Sequence, residues 1–177
     1  MSLLITLKDA LNNPNVRAFL RVIRQGESSQ EDDAYRTVVG GTHFSSWDDH
    51  PAQKIYIPSL RVWSTAAGAY QFLRGTWEEC QSALSLPDFS PASQDVAAVF
   101  LIRRRGALEH VLAGRLEEAI DACAKEWASL PGSPYGQPVQ TMSECRAVYE
   151  KYGGTYTSAK PVENQPNIVQ EPPNPER

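Results

Sequence analysis

Apolar residues recur at helical spacing along most of the chain, with one interruption. Asn13 and Pro14 form an N-cap and first-turn pair, after which Val16, Phe19, Leu20 and Ile23 make a stripe that Glu27 continues. From Tyr35 to Trp63 the pattern changes. "YRTVV", "IYI" and "LRVW" are rich in β-branched and aromatic residues, and Gly40-Gly41 can turn a hairpin between the first of these and "THF". Helices return after Ser64, with Tyr70, Leu73, Trp77, Cys80 and Leu84 on one face of a segment ending near Leu86-Pro87. Ser90-Pro91 caps the next, which runs through "DVAAVFLIRRRG". Leu116, Ile120, Cys123 and Trp127 mark a further helix that stops at Pro131-Gly132. The last opens on a capping box from Thr141 to Glu144, presents Cys145, Val148, Tyr149 and Tyr152, and ends at Gly153-Gly154. The pattern predicts an α+β fold, mainly helical with a small antiparallel β lobe.

That domain is expected over residues 1–154, with residues 1–14 as an N-terminal extension packed on it. Residues 155–177 read as a disordered tail, since "SAKPVENQPNIVQEPPNPER" is proline-rich with almost no apolar content and cannot offset its ordering entropy by burial.

Composition narrows the functional classes. At 177 residues, 41% hydrophobic and 21% charged, the chain has the profile of a soluble globular protein of one domain. Lys8 and Asp9 interrupt the N-terminal apolar run too soon for a transmembrane helix, and no basic leader or cleavage site precedes it, so accumulation in the cytoplasm is expected. A net charge of -4 argues against a nucleic-acid partner, whose affinity rests on a basic face. Cys80, Cys123 and Cys145 are odd in number and without CxxC spacing, which suits buried thiols rather than zinc ligands or disulfides.

Glu27 is the residue most pointed toward chemistry. A carboxyl group on the buried face near a helix C-terminus suffers desolvation and an unfavourable dipole, and both raise its pKa toward that of a working general acid. The competing reading is that Glu27 ends the helix in solvent, paired with Arg24. Glu31, Asp32 and Asp33, which follow, read as a solvated charge run. The small residues of "STAAGAYQFL", from Ser64 through Gly68, let a ligand approach the backbone, while Tyr70 and Gln71 offer stacking and amide hydrogen bonds suited to a sugar. A core role for the Tyr70 ring competes with that. "WASLPGSPYGQ" is a second turn-rich stretch, held between two capped helices.

Taken together, "RQGESS", "VVGGTHFSSWDDHPAQK", "STAAGAYQFL", "FSPASQD", "RRRGAL" and "WASLPGSPYGQ" resemble the lambda-type phage endolysins, a family of peptidoglycan lytic transglycosylases, over about residues 18–154. The resemblance implies a lysozyme-like fold, a β lobe and a helical lobe with a saccharide cleft between them. It implies Glu27 as the single catalytic residue, and Ser64, Gly68, Tyr70, Gln71, Tyr135 and Gln137 as substrate-binding residues. The family commonly carries Gly directly after its Glu, whereas here Gly26 precedes it and Ser28 follows. Also implied are peptidoglycan glycan strands as the partner, no metal or cofactor, a monomer without stable membrane insertion, and release from the host cytoplasm to the periplasm through a separate holin pore. Three other readings stand beside this one. The first is a hydrolytic lysozyme with Asp33, Asp48 or Asp49 as second carboxylate. The second is a zinc amidase or peptidase using His43, His50 and Asp49, although these residues form no HExxH pattern. The third is a wall-binding module without turnover. Arg103, Arg104 and Arg105 read either as a basic patch that offsets the acidic balance toward an anionic wall or as a solvated helix end.

Overall fold

A computed structural model describes residues 1–158. Helix α1 spans Leu3–Ala10, capped by Ser2, and packs on the fourth helix with Leu7 fully buried. Its cap and buried Leu7 give the N-terminal segment a definite place. Helix α2 spans Pro14–Glu27; the Asn13 side chain accepts from the Asn15 amide at 2.8 Å, and Val16, Phe19, Leu20 and Ile23 are all buried as their spacing requires. One face of α2 packs on the last helix and others meet the fourth and fifth, so α2 is the central rod of the domain and ends on Glu27.

The β lobe is sparser than the sequence suggests. Asp32–Arg36 forms a short 3-10 helix, so the first half of "YRTVV" is not strand. Thr37 bridges His43 across the Gly40-Gly41 turn, whose two glycines take φ of 92° and 95°, and Val38 bridges Ala67. Among the described residues the regular sheet is one antiparallel hairpin, β1 (Ile55–Ile57) with β2 (Val62–Ser64), in which Tyr56 and Trp63 are partners on an exposed face.

Helix α3 runs Arg74–Leu84 and α4 Pro91–Arg104, the latter capped by Ser90. Tyr70 lies before α3 rather than on it, because Gly68 and Gln71 both take left-handed backbone (φ 84° and 48°) and Leu73 is the cap. Helix α5 (Leu108–Leu112) is short and has no clear sequence signal, α6 (Leu116–Cys123) ends before Trp127, and α7 (Met142–Lys151) begins with the expected reciprocal capping box. Phe72, Trp77 and Phe89 join the lobes through edge-on ring contacts, with Trp77 and Phe89 at 4.6 Å, and Phe44 meets Phe89 in a tilted contact.

The stretch just after α7 is packed. Thr155 donates its amide to Asn15 Oδ1 and Thr157 donates to the Gly114 carbonyl, each at 2.8 Å, while Arg146 stacks on Tyr156. These contacts lie beyond Gly154, and the remainder of the expected tail lies outside the described residues. Cys80, Cys123 and Cys145 are buried free thiols, each pushed up to about 12 by desolvation. Among the described residues no helix is long and apolar enough to cross a membrane.

Candidate active site

Glu27 is the last residue of α2 and is half-buried. Its Oε1 accepts from the Ser129 hydroxyl at 2.6 Å and from the Ser129 amide at 3.3 Å. Burial raises the pKa of its carboxyl group above the ordinary 4.5, and the two Ser129 bonds, which favour the ionised form, hold the rise back. A carboxyl group whose pKa is raised by burial is chemically capable of general-acid work.

Arg24 does not pair with it. That guanidinium is buried, donates to the carbonyls of Ser29 (3.1 Å) and Glu31 (2.7 Å), and stacks on Tyr35.

Ser129 reaches the acid only because residue 26 lacks a side chain. A Cβ on Gly26 would stand 2.4 Å from Ser129 Oγ and 2.5 Å from Gln140 Nε2. Gln140 in turn donates its amide nitrogen to the Ser129 carbonyl and its side chain to the Val22 carbonyl, pinning the loop against α2. A groove of about 400 Å³ opens beside this contact, lined by Gly26, Ser129, Val139, Gln140, Glu144 and Val148.

Of the other expected site residues, Gly68, Tyr70 and Gln71 come together next to the end of α2, since Ser28 Oγ donates to the Ala69 carbonyl at 2.7 Å. What approaches Gly68 closely is protein, however: its missing Cβ leaves room for Gln94 Oε1 at 2.3 Å. Tyr70 is 1% exposed, with its hydroxyl bonded to Asp95 and its carbonyl accepting from Trp127 Nε1, so the ring is a core aromatic and not a stacking surface for a sugar. Gln71 turns its amide to the carbonyls of Thr37 and Gly68. Ser64 lies at the base of the hairpin, where its hydroxyl accepts from the Ala66 amide. Tyr135 is 54% exposed on the later loop with its hydroxyl donated to the Lys125 carbonyl, and half-buried Gln137 follows it; neither borders the groove. Ser129, Gln94 and Asp95 lie within quoted segments, yet nothing local marks their roles.

None of Asp33, Asp48 and Asp49 is hydrogen-bonded to Glu27. Asp33 faces His43 at 3.8 Å, Asp48 is exposed, and Asp49 pairs with Arg74 at 2.8 Å, a partner that helps hold its carboxyl below the usual range. His50 is buried with both ring nitrogens committed, Nε2 to the Phe72 carbonyl and Nδ1 to the Ala52 amide, which orders the loop at Pro51. Among the described residues no three His, Cys, Asp or Glu side chains converge as metal ligands. The run of arginines is largely neutralised, Arg104 by Glu79 and Glu126, and Arg105 by Glu126.

Replacing Ser129 with Ala removes the hydroxyl bond that favours ionised Glu27 and keeps the amide one, so the Glu27 pKa rises further and the alkaline limb of kcat/KM is expected at higher pH. Turnover at the optimum is expected to fall about tenfold, an energy of roughly 1.4 kcal/mol that lies close to the lower end for one hydrogen bond to a charged group. A pH–rate profile checks both, and a limb that stays in place or moves down contradicts the assignment.

Comparison with known proteins identifies the family and the fold. Residues 17–156 match the protein family described as endolysin. The chain is 40% identical to the endolysin of Escherichia phage lambda over 131 residues, which is 73% of this chain and 82% of that protein. It is 37% identical to the endolysin of Escherichia phage P2 over 155 residues, 79% of this chain and 93% of that protein. Among solved structures, bacteriophage lambda lysozyme complexed with a chitohexasaccharide superposes with a TM-score of 0.77 at 36% identity, covering 82% of this chain and 97% of the other. A helical body ending on a half-buried Glu, a small β lobe and these similarities have one meaning: the chain belongs to the phage endolysin family and has the lambda lysozyme fold.

Proposed function

We propose that this endolysin cleaves the β-1,4 bond between N-acetylmuramic acid and N-acetylglucosamine in peptidoglycan by intramolecular transglycosylation. The observation that carries the reading is Glu27, a half-buried carboxyl group of raised pKa at the end of α2 and held by Ser129, while Asp33 and Asp49 face other groups, Asp48 is exposed, and Asp95, also half-buried with a raised pKa, is taken up by the Tyr35 and Tyr70 hydroxyls. An ordinary glycosidase needs two carboxyl groups, roughly 5 to 9.5 Å apart, the second acting as nucleophile or as base for water. Intramolecular attack removes that need.

In this mechanism Glu27 gives its proton to the bridging oxygen as the bond from that oxygen to the muramoyl anomeric carbon breaks. The C6 hydroxyl of the same muramoyl ring forms the new bond to the anomeric carbon, and its proton passes to the Glu27 carboxylate. The acid is thereby restored, the leaving N-acetylglucosamine keeps a free 4-hydroxyl, and the other end is a 1,6-anhydro ring. A hydroxyl in the same molecule has a high effective concentration, which replaces an activated water. The chitohexasaccharide seen on the lambda lysozyme supports a glycan strand as the ligand. Host lysis from the cytoplasm, through a holin pore, belongs to the same proposal.

On this account Asp33→Asn, Asp48→Asn and Asp49→Asn each keep turnover within a few-fold of the parent, since none is needed as base or nucleophile. A turbidity assay on permeabilised Gram-negative cells measures this. Loss of activity in one folded variant, with hydrolysed product from the parent, favours a two-carboxylate lysozyme.

A further inference from the structure

We infer that Ser28 and Trp127 are positioning residues for Glu27, acting as a pair through the backbone of Ala69 and Tyr70. The inference rests on Glu27 being the acid. Glu27 stands at a helix end, where the backbone is least constrained, and its partner Ser129 stands in a turn. Gln140 ties the turn to the body of α2 through the Ser129 and Val22 carbonyls, and a second tie is needed at the helix end itself.

Adjacent carbonyls provide it. The end of α2 is tied down by Ser28 Oγ, which donates to the Ala69 carbonyl at 2.7 Å. The turn is tied down by Trp127 Nε1, which donates to the Tyr70 carbonyl at 3.1 Å. The dipeptide that receives both is itself immobilised. Ala69 and Tyr70 are 0% and 1% exposed, the Ala69 amide donates to Gln94 Oε1 at 3.0 Å, and the Tyr70 hydroxyl donates to Asp95. Gln94, fully buried, is anchored in turn by donating to the carbonyls of Phe89 and Tyr35. The two parts of the acid site are thus set against one buried reference, and the 2.6 Å contact from Ser129 to Glu27 is the result. Neither Ser28 nor Trp127 bonds to the Glu27 carboxyl, so each acts at one remove. A serine after the acid is therefore used in this chain: its hydroxyl makes a bond that a glycine there could not.

Ser28→Ala and Trp127→Phe, each in the full chain, test this, with kcat and KM measured on soluble glycan strands across pH. Because displacement of a reacting group by about 1 Å can cost on the order of 100-fold, a loosened anchor is expected to lower kcat about tenfold or more. KM should stay within about twofold, and the alkaline limb should move upward, as for Ser129→Ala, because a displaced Glu27 loses the Ser129 bonds. Ser28→Thr keeps the hydroxyl and should restore both kcat and the limb. The double variant should lose less than the product of the single losses, since both anchors serve one contact.

The inference is overturned by a folded Ser28→Ala or Trp127→Phe protein with unchanged kcat, by a loss confined to KM with the limb in place, or by failure of Ser28→Thr to restore a lost rate. If Ser28→Ala does not fold, Trp127→Phe against the parent decides by the same readings. Full activity of Ser28→Ala alongside an inactive Glu27→Gln defeats this inference alone, whereas an active Glu27→Gln defeats the reading beneath it.

Discussion

Glu27→Gln is expected to lower lytic turnover by at least about a thousandfold while leaving the fold intact. General acid–base catalysis by one side chain supplies roughly 10²- to 10⁴-fold, and here one group performs both halves of the cycle, which places the loss toward the upper end. The amide is nearly isosteric and its oxygen still accepts from Ser129 Oγ, so packing at the end of α2 is kept. Stability gives an independent check of the substitution. Burial raises the carboxyl pKa in the folded protein, so the native state holds its proton at pH values where the unfolded chain has released it. Stability from that proton is fully present below the ordinary value of 4.5 and is lost as pH rises through the folded value. The glutamine variant has no such loss. Relative to the parent it should become more stable as pH is raised across that window, a trend that denaturant melts at several pH values will display. A well-folded Glu27→Gln protein with near-normal lysis would remove Glu27 from the mechanism.

Gly68→Ala is expected to cost about 3 kcal/mol of stability. Left-handed backbone at φ 84° is unfavourable for alanine by about 1–2 kcal/mol. The new methyl would stand 2.3 Å from Gln94 Oε1 and 3.0 Å from Phe89 Cζ, and overpacking of this kind adds about 1–3 kcal/mol. For a domain of this size the midpoint of thermal unfolding should fall by about 6–12 °C. Activity measured well below the midpoint should fall too, since Gln94 holds the dipeptide that carries the Ser28 and Trp127 anchors. A midpoint within about 2 °C of the parent would mean that Gln94 can move aside freely, and with it that the reference is soft.

The parts of this fold legible in the sequence are those fixed by local chemistry. The Asn13-Pro14 start, the Ser90-Pro91 start, the Thr141 to Glu144 box and the Gly40-Gly41 turn each follow from residues within a few positions of one another, and all are present. The placement of Tyr70 on a helix failed because spacing registers which residues are apolar but not that Gln71 turns left-handed. Arg24, three positions before Glu27, has the spacing of an ion pair, yet carbonyls of the following loop claim its guanidinium. Ser129 could not be singled out for a different reason. It meets Glu27 across 102 positions, and "WASLPGSPYGQ" holds a second serine, Ser133, with equal local claims. Glu27 stands out in the sequence from its place on an apolar stripe; its hydrogen-bond partner and the supporting amide of Gln94 require the tertiary structure.

The central claim is that one carboxyl group suffices because the nucleophile belongs to the substrate, and mass analysis of the muropeptides released by the parent enzyme tests it most directly. Without water in the reaction, the fragments end in 1,6-anhydro-muramic acid, carry no reducing end and weigh one water less than hydrolysis products. Anhydro ends as the main product are the predicted result. Muramic acid with a free reducing end as the main product would contradict it and return Glu27 to the role of acid in a two-carboxylate lysozyme.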